Sequence, residues 1–267
     1  MNDELGDRMK ENYENRSRYL LPRRTNIILR VDGKAFHSWT RGLGRPYDEA
    51  FQAVMDQTML FLCKSVQGCQ LGYVQSDEIS LLLTDFDEIN TSAWFDGNIQ
   101  KISSVAASFA TGSFNENARR LLPKHTGGLA FFDCRCFVIP DPVEAYNYFL
   151  WRQKDCTRNS LQSAAQEQYS HKALDGKGQS DLHEMLFQKG INWNNYPTRF
   201  KRGAICVYNK SETEGKALNK KTGEEVVFTR PVGWEILKDV PIFTSEEGKV
   251  LLATIIPRLA LEEDKNA

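Results

Sequence analysis

The sequence has no excess of positive charge. Its 34 Lys and Arg residues stand against 35 Asp and Glu, a formal net charge of −1. A global basic field is therefore excluded, and any nucleic-acid surface must be a local patch. The six cysteines (Cys63, Cys69, Cys134, Cys136, Cys156 and Cys206) include no Cys-x-x-Cys pair. The paired-ligand spacing of a structural zinc site is thus missing. Nothing near residue 1 reads as a signal peptide, so reduced thiols and a cytoplasmic protein are expected. No apolar run approaches the ~20 residues that a membrane helix needs, and no membrane partner is expected. Internal repeats and low-complexity segments are also lacking. What is present is a 41% hydrophobic chain of 267 residues, enough for one large domain or two modest ones.

Two stretches organise the chain. Asn26 to Val31 is apolar and β-branched, reads as a central strand, and runs straight into Asp32-Gly33. Leu71 to Val74 and Ile79 to Leu83 read as a hairpin joined by Gln75-Ser76-Asp77-Glu78. Between them, Asp48 to Leu62 has Phe51, Val54, Met55, Met59 and Leu62 at amphipathic helical spacing. Ile99 to Phe114 is a small-residue helix, and Leu129 to Ile139 a further strand in which Cys134 and Cys136 share a face. Residues 1–24 suggest a helix ending near Pro22, and Trp94-Phe95 lies in an exposed-looking loop. Strand, helix, hairpin, helix, strand is the split βαβ, or ferredoxin-like, order. The topology would set Asp32 beside Asp77.

After Pro140 the character changes. Asp141-Pro142 is a cap followed by proline at the first helical position. A helix from Val143 to about Tyr169 is predicted, with a break near Asp155. Asp181 to Gln188 is a second helix, Ala204 to Tyr208 a strand, and Asn209 to Glu225 a Lys-rich hairpin tip. The predicted fold class is α+β: a βαββαβ catalytic domain over residues 1–140 and a helical and hairpin extension over 141–267.

Two carboxylates at strand ends, one followed by Gly, are a seat for hard cations and phosphates. Magnesium takes one or two carboxylates and fills its shell with water and substrate phosphates. Asp32 and Asp77 supply the carboxylates, and the Gly33 carbonyl could add a ligand. The N–H groups of Lys34, Ala35 and Phe36 could form an anion nest. Lys34, His37, Arg45 and Lys101 are cations, or can be, for a triphosphate. Taken singly, each feature also has an ordinary reading: an Asp-Gly turn, a solvated hairpin tip, a packed histidine, a surface lysine.

Five collinear motifs join these features. Arg30-Val-Asp-Gly-Lys-Ala-Phe-His37, Gly72-Tyr-Val-Gln-Ser-Asp-Glu78, Phe132-Asp133-x-Arg135, Trp151-Arg-Gln-Lys-Asp155 and Gly190-Ile-Asn-Trp-Asn194, the last followed by Phe200-Lys-Arg-Gly203, resemble the signatures of tRNA(His) guanylyltransferases. The resemblance implies a polymerase palm-like catalytic domain with two Mg2+ ions, ATP and GTP as substrates, tRNA as partner, and a homotetramer. It implies nucleotide addition to the tRNA 5′ end in the 3′-to-5′ direction. Asp32, Gly33 and Asp77 would be the metal ligands. Asp32, Gly33, Lys34, Ala35, Phe36, His37, Arg45, Ser76 and Asp77 would line the nucleotide. Asp32, Asp77, Glu78, His37 and Lys101 would serve catalysis.

The sequence departs from the family where the eukaryotic enzymes carry His-Ile-Asn-Asn, reading Thr157-Arg158-Asn159-Ser160 instead. That departure favours template-dependent 5′-end repair over tRNA(His)-specific addition of one guanosine. The family's tandem arginines before Lys101 are replaced by Gly97-Asn98. Candidate RNA contacts are Arg135, Arg152, Arg158, Asn159, Lys201, Arg202 and the Lys216, Lys220, Lys221 tip, with Trp193 and Tyr196 available to stack on bases. A palm-type nucleotide cyclase and a non-catalytic RNA-binding module are the remaining alternatives.

Overall fold

The computed structural model describes residues 3–218 and 225–260, with the side chains of 216–228 outside the description. In chain order the elements are α1 (Glu4–Asn12), β1 (Asn26–Gly33), the single-turn α2 (Phe36–Trp39), α3 (Glu49–Ser65), β2 (Cys69–Gln75), β3 (Glu78–Leu83), α4 (Ile99–Leu121), β4 (Phe132–Ile139), α5 (Pro142–Gln168), the short α6 (His171–Leu174), α7 (Gln179–Gln188), α8 (Thr198–Arg202), β5 (Ala204–Leu218), β6 (Glu225–Leu237) and α9 (Glu246–Ile255). The strands form one six-stranded sheet in the order β4-β1-β3-β2-β5-β6, antiparallel throughout. β3 therefore separates β1 from β2, which run the same way.

The central strands β1, β3 and β2 are buried on both faces, as the unbroken apolar runs of β1 and β3 require. Side chains alternate across a strand. Ile27, Leu29 and Val31 go to one core with α3 and α4, while Ile28 joins Leu71, Tyr73, Leu82 and Phe149 in a second core under α5 and α9. Asp48 caps α3, its carboxylate accepting from the Phe51 N–H at 2.9 Å. Asn98 caps α4 by accepting from the Lys101 N–H at 3.1 Å. Ala106, Ala110, Phe114 and Ala118 then repeat every four residues on the buried side of α4. A third, smaller core joins the later turns of α5 to α6 and α7 through Leu161, Ala164, Leu174, Leu182 and Leu186. Among the described residues no helix is long and apolar enough to cross a membrane.

Several boundaries differ from expectation. α1 stops at Asn12 and buries none of its residues. Tyr19 to Leu21 runs extended instead, the Leu21 N–H donating to the Gly97 carbonyl at 2.9 Å. Trp94 is buried rather than exposed. β4 begins at Phe132, not Leu129, because the backbone of Ala130 is taken up by the Asn115 amide. α5 runs unbroken through Asp155. The Asp155 carboxylate is occupied by the side chains of Arg152, Arg158 and Asn159 and does not compete for the helix backbone. β5 extends past Tyr208 to Leu218 in a long hairpin with β6, although Lys220, Lys221 and the side chain of Lys216 lie outside the described residues.

Gly203 turns the chain from α8 into β5 at φ 81°, and a Cβ there would meet the Val74 carbonyl oxygen at 2.5 Å and the Tyr73 hydroxyl at 2.8 Å. Both the backbone and the space demand glycine. Gly203→Ala is expected to lower stability by about 2 kcal/mol or more, read as a drop in the urea midpoint at unchanged slope.

Candidate active site

On the face of β1 that looks toward α5, the pairing sets residues in rows. Ile28 lies opposite Leu82 and Phe137, Arg30 opposite Ser80 and Arg135, and Asp32 opposite Glu78 and Asp133. An apolar floor thus passes to a basic and hydroxyl row, then to an acidic row at the sheet's end. The hairpin adds Asp77 just beyond it, where the Gly33 N–H donates to the Asp77 carbonyl at 3.1 Å. Asp32 and Asp77 are far apart in sequence and neighbours here because β3 pairs with β1.

Guanidinium groups hold the acidic row together. Arg135 lies 3.6 Å from Asp32, and Arg30 lies 3.9 Å from Glu78. Arg152 of α5 bonds Glu78 at 2.7 Å and reaches Asp155 at 3.4 Å. Arg152 and Glu78 are both largely withdrawn from solvent. Removing one partner of such a pair costs about 3–5 kcal/mol, because the other charge is stranded. Tyr148, Arg152, Asp155 and Asn159 follow the helical period, so one stripe of α5 carries this contact. Ser80 and Tyr148 share a hydrogen bond of 2.8 Å beneath it, and burial pushes the Tyr148 phenol up to about 12.

Burial also raises the carboxyl of Asp77; the Ser76 hydroxyl, donating at 2.9 Å, opposes it, while the charge of Asp32 adds to it. Glu78 is raised by burial, against the pull of Arg152 and Arg30. Ser76 itself sits at φ 45°, a conformation that costs a non-glycine residue on the order of 1 kcal/mol.

The loop after β1 is packed tightly. A Cβ at Gly33 would meet the Phe36 ring at 2.3 Å. Phe36 is buried among Trp39, Phe51, Phe114 and Phe132, so its side chain is core and only its backbone can face a ligand. The Lys34 N–H donates to the Phe131 carbonyl at 2.8 Å, which removes it from the expected anion nest. Ala35 is left-handed, at φ 57°, as α2 begins. The side chains of Lys34 and His37 are exposed. Arg45, Ser76 and Asn159 line a cavity of about 170 Å³ between the loop, the hairpin and α5. Arg199 lines it too, bonded to the buried Asp56 at 2.8 Å, with Nη2 left without a partner.

Other candidates are placed elsewhere. Lys101 is exposed in the first turn of α4, 6.0 Å from the Phe95 ring. That turn lies beside the Asn26 end of β1, where Arg23 joins Asp85 and Asp96. Asp32 is at the other end, roughly 20 Å along the strand, so this chain does not bring Lys101 to the acidic row. Arg152 is buried in its ion pairs and is not an open phosphate contact. Lys201 is buried too, its ammonium donating to the Asn194 carbonyl, and burial lowers its pKa. Arg202 donates to the Val240 carbonyl at 3.1 Å. Trp193 and Tyr196 are half-buried; Tyr196 packs on Tyr47 and Phe200. Arg135, Arg158 and Asn159 remain at the surface. Sequence reading missed Arg30, Ser80, Tyr148 and Asp155 as parts of the site. Strand alternation at Arg30 and Asp32, and the α5 stripe, were the available signals.

Among the described residues no group of three or more His, Cys, Asp or Glu side chains is set to hold a metal unaided. An acidic row with guanidinium neighbours at the end of an antiparallel sheet suits a protein that handles cations and phosphates together. A family model described as tRNAHis guanylyltransferase matches residues 6–140, and one described as Thg1 C terminal domain matches residues 144–232. The tRNA(His) guanylyltransferase of Debaryomyces hansenii is 31% identical over 228 residues, 79% of this chain and 84% of that protein. A bacterial tRNA(His) guanylyltransferase (Thg1)-like protein solved in complex with ATP superposes with a TM-score of 0.79 at 36% identity, covering 95% of this chain and 99% of that one. Such a protein in complex with GTP gives 0.68, also at 36% identity, over 91% and 94%. The chain belongs to the tRNA(His) guanylyltransferase family and is a nucleotidyltransferase.

The raised carboxyl of Asp77 gives a pH signature. The folded state keeps this proton to higher pH than the unfolded chain, so the group's contribution is present at low pH and is lost as pH rises through its raised value. In the absence of divalent cations, Asp77→Asn should therefore raise the thermal midpoint at pH 7. The gain should vanish below the ordinary aspartate range, as read by scanning calorimetry across pH.

Proposed function

We propose that the chain adds nucleotides in the 3′-to-5′ direction to the 5′ end of tRNA, copying the opposite strand of the acceptor stem, in a reaction that depends on two Mg2+ ions. The observation that carries this reading is the meeting of Asp32 and Asp77 at adjoining strand ends, in a family named for guanylyl transfer to tRNA. Residues 1–140 act as the palm-like, ferredoxin-like catalytic domain, and 141–267 complete the tRNA-binding part. The order β4-β1-β3-β2 of the first four strands supports the palm-like part, and the two family models meeting near Pro140 support the division, while β5 and β6 continue the same sheet from β2. A cytoplasmic homotetramer is the assembly the family likeness favours.

The donor set fits magnesium. Asp32 and Asp77 offer hard oxygens and leave room for water and phosphate. The Asp77 carboxyl, raised by burial and by Asp32, is one that a nearby cation would bring back down. Asp32, Asp77 and the Gly33 carbonyl are the groups we assign to hold the ions. Bound there, magnesium supplies Lewis-acid stabilisation of phosphate oxygens. The chain's own groups do the rest. Ala35 and Phe36 present backbone N–H groups to the triphosphate, Lys34 and His37 present exposed nitrogen side chains, and Ser76 and Arg45 close the cavity side. Arg135 screens the charge beside Asp32. Glu78 anchors the hairpin through Arg152 and so fixes where Asp77 points. ATP and GTP are the proposed nucleotides, since bacterial relatives have been solved with each.

Addition of a single guanosine to tRNA(His) is the second reading, favoured by the names of the fungal relatives. Against it stands the stretch from Thr157 to Ser160. Thr157 donates to the Lys201 carbonyl at 3.1 Å, Ser160 donates to the Thr157 carbonyl at 2.8 Å, and Arg158 and Asn159 are tied to Asp155. These side chains are engaged within the fold, and none is the histidine of the eukaryotic motif.

The deciding assay supplies 5′-monophosphorylated, 5′-truncated tRNAs with each nucleoside triphosphate. Extension of several tRNAs to full Watson–Crick pairing is expected. Extension of tRNA(His) alone, by one unpaired guanosine, would replace this reading with the second. Asp77→Ala should abolish addition while tRNA affinity stays within about twofold, and full residual activity would refute the metal assignment.

A further inference from the structure

Trp151 is 51% exposed although its neighbours on α5, Tyr148 and Arg152, are buried. The Arg152 guanidinium lies 3.6 Å from the indole centroid, Arg30 lies 5.8 Å away, and the Tyr148 ring meets it edge-on at 5.9 Å. The rest of the indole is open. Arg30 precedes Asp32 by one pleat on the same face, so Trp151 stands roughly 7 Å along the strand from the acidic row. It lines a shallow groove with Arg30, Arg152, Lys154 and Arg158, in which Asp155 is the acid. The buried Nε atoms of Arg30 and Arg152 have no hydrogen-bond partner.

An indole needed only for the core would be buried, and a protein-docking patch would bring further apolar side chains into this groove. A single open aromatic surface backed by buried guanidinium groups and flanked by the exposed Lys154 and Arg158 suits a nucleic-acid end, with a base on the ring and phosphates on those two exposed cations. We propose that Trp151 is the stacking platform for the 5′-terminal base of the RNA substrate, holding it over Arg30 so that its phosphate reaches the Asp32 row. The inference rests on the reading of the chain as a 5′-end nucleotidyltransferase. Trp151 touches no reacting atom and is a substrate-positioning residue.

The test uses a 5′-monophosphorylated tRNA whose 5′-terminal base is 2-aminopurine, titrated with the wild type, Trp151→Phe and Trp151→Leu at fixed salt. The wild type should quench the 2-aminopurine fluorescence. Trp151→Leu should lose the quench and raise the Kd for this RNA about tenfold, the scale of one lost base–aromatic stack. Trp151→Phe should recover most of both. The Kd of Trp151→Leu for ATP should stay within about twofold of wild type, showing that the Arg152–Glu78 pair and the hairpin are intact. An undiminished quench in Trp151→Leu overturns the proposal. So does an equal loss of ATP affinity, which would make Trp151 a cover for Arg152. A wild type that adds nucleotides but gives no quench overturns the stack alone, whereas one that adds no nucleotide to any tRNA overturns the reading beneath it.

Discussion

Asp32, Asp77, Glu78 and Asp133 gather at one end of one sheet face, and their mutual repulsion has to be held in check. Arg135, Arg30 and Arg152 do this, the last from a helix that begins only after the four-stranded part of the sheet is complete. The buried contact between Arg152 and Glu78 is therefore both electrostatic and architectural. It pins the hairpin, and with it Asp77, to α5. The same helix continues through Asp155, which holds Arg158 and Asn159 and is reached by the Gln75 amide at 3.4 Å. The hairpin and the stretch where this chain departs from the tRNA(His) pattern thus share one network.

That sharing bears on specificity. Asn159 lines the same cavity as Arg45 and Ser76, so what occupies this stretch of α5 shapes the space beside the hairpin. Thr157, where the eukaryotic motif has its histidine, lies off that lining, its hydroxyl donating to the Lys201 carbonyl at 3.1 Å.

The strands of the site were legible in the sequence because their signal is local. An apolar run ending in Asp32-Gly33, and two runs flanking Ser76-Asp77, can be read directly, and the amphipathic spacing of α3 fixes which side it buries. The proximity of Asp32 and Asp77 needed the further step of strand order. Side-chain fates were not legible. Arg152 and Lys201 look like surface cations in sequence, yet one is buried against Glu78 and the other donates to the Asn194 carbonyl. Lys101 is carried to the far end of the sheet by the length and direction of α4, which no local pattern states. Asp155 looked like a helix breaker because its side-chain partners, three and four residues away along the helix, could not be seen to claim it.

The central claim is that Asp32 and Asp77 together seat the metal ions. Counting bound Mn2+ by electron paramagnetic resonance, as a stand-in for Mg2+ with ATP present, tests it most directly. Two ions per wild-type chain and at most one in Asp32→Asn/Asp77→Asn are the expected result. An unchanged count in the doubly substituted chain would contradict the claim.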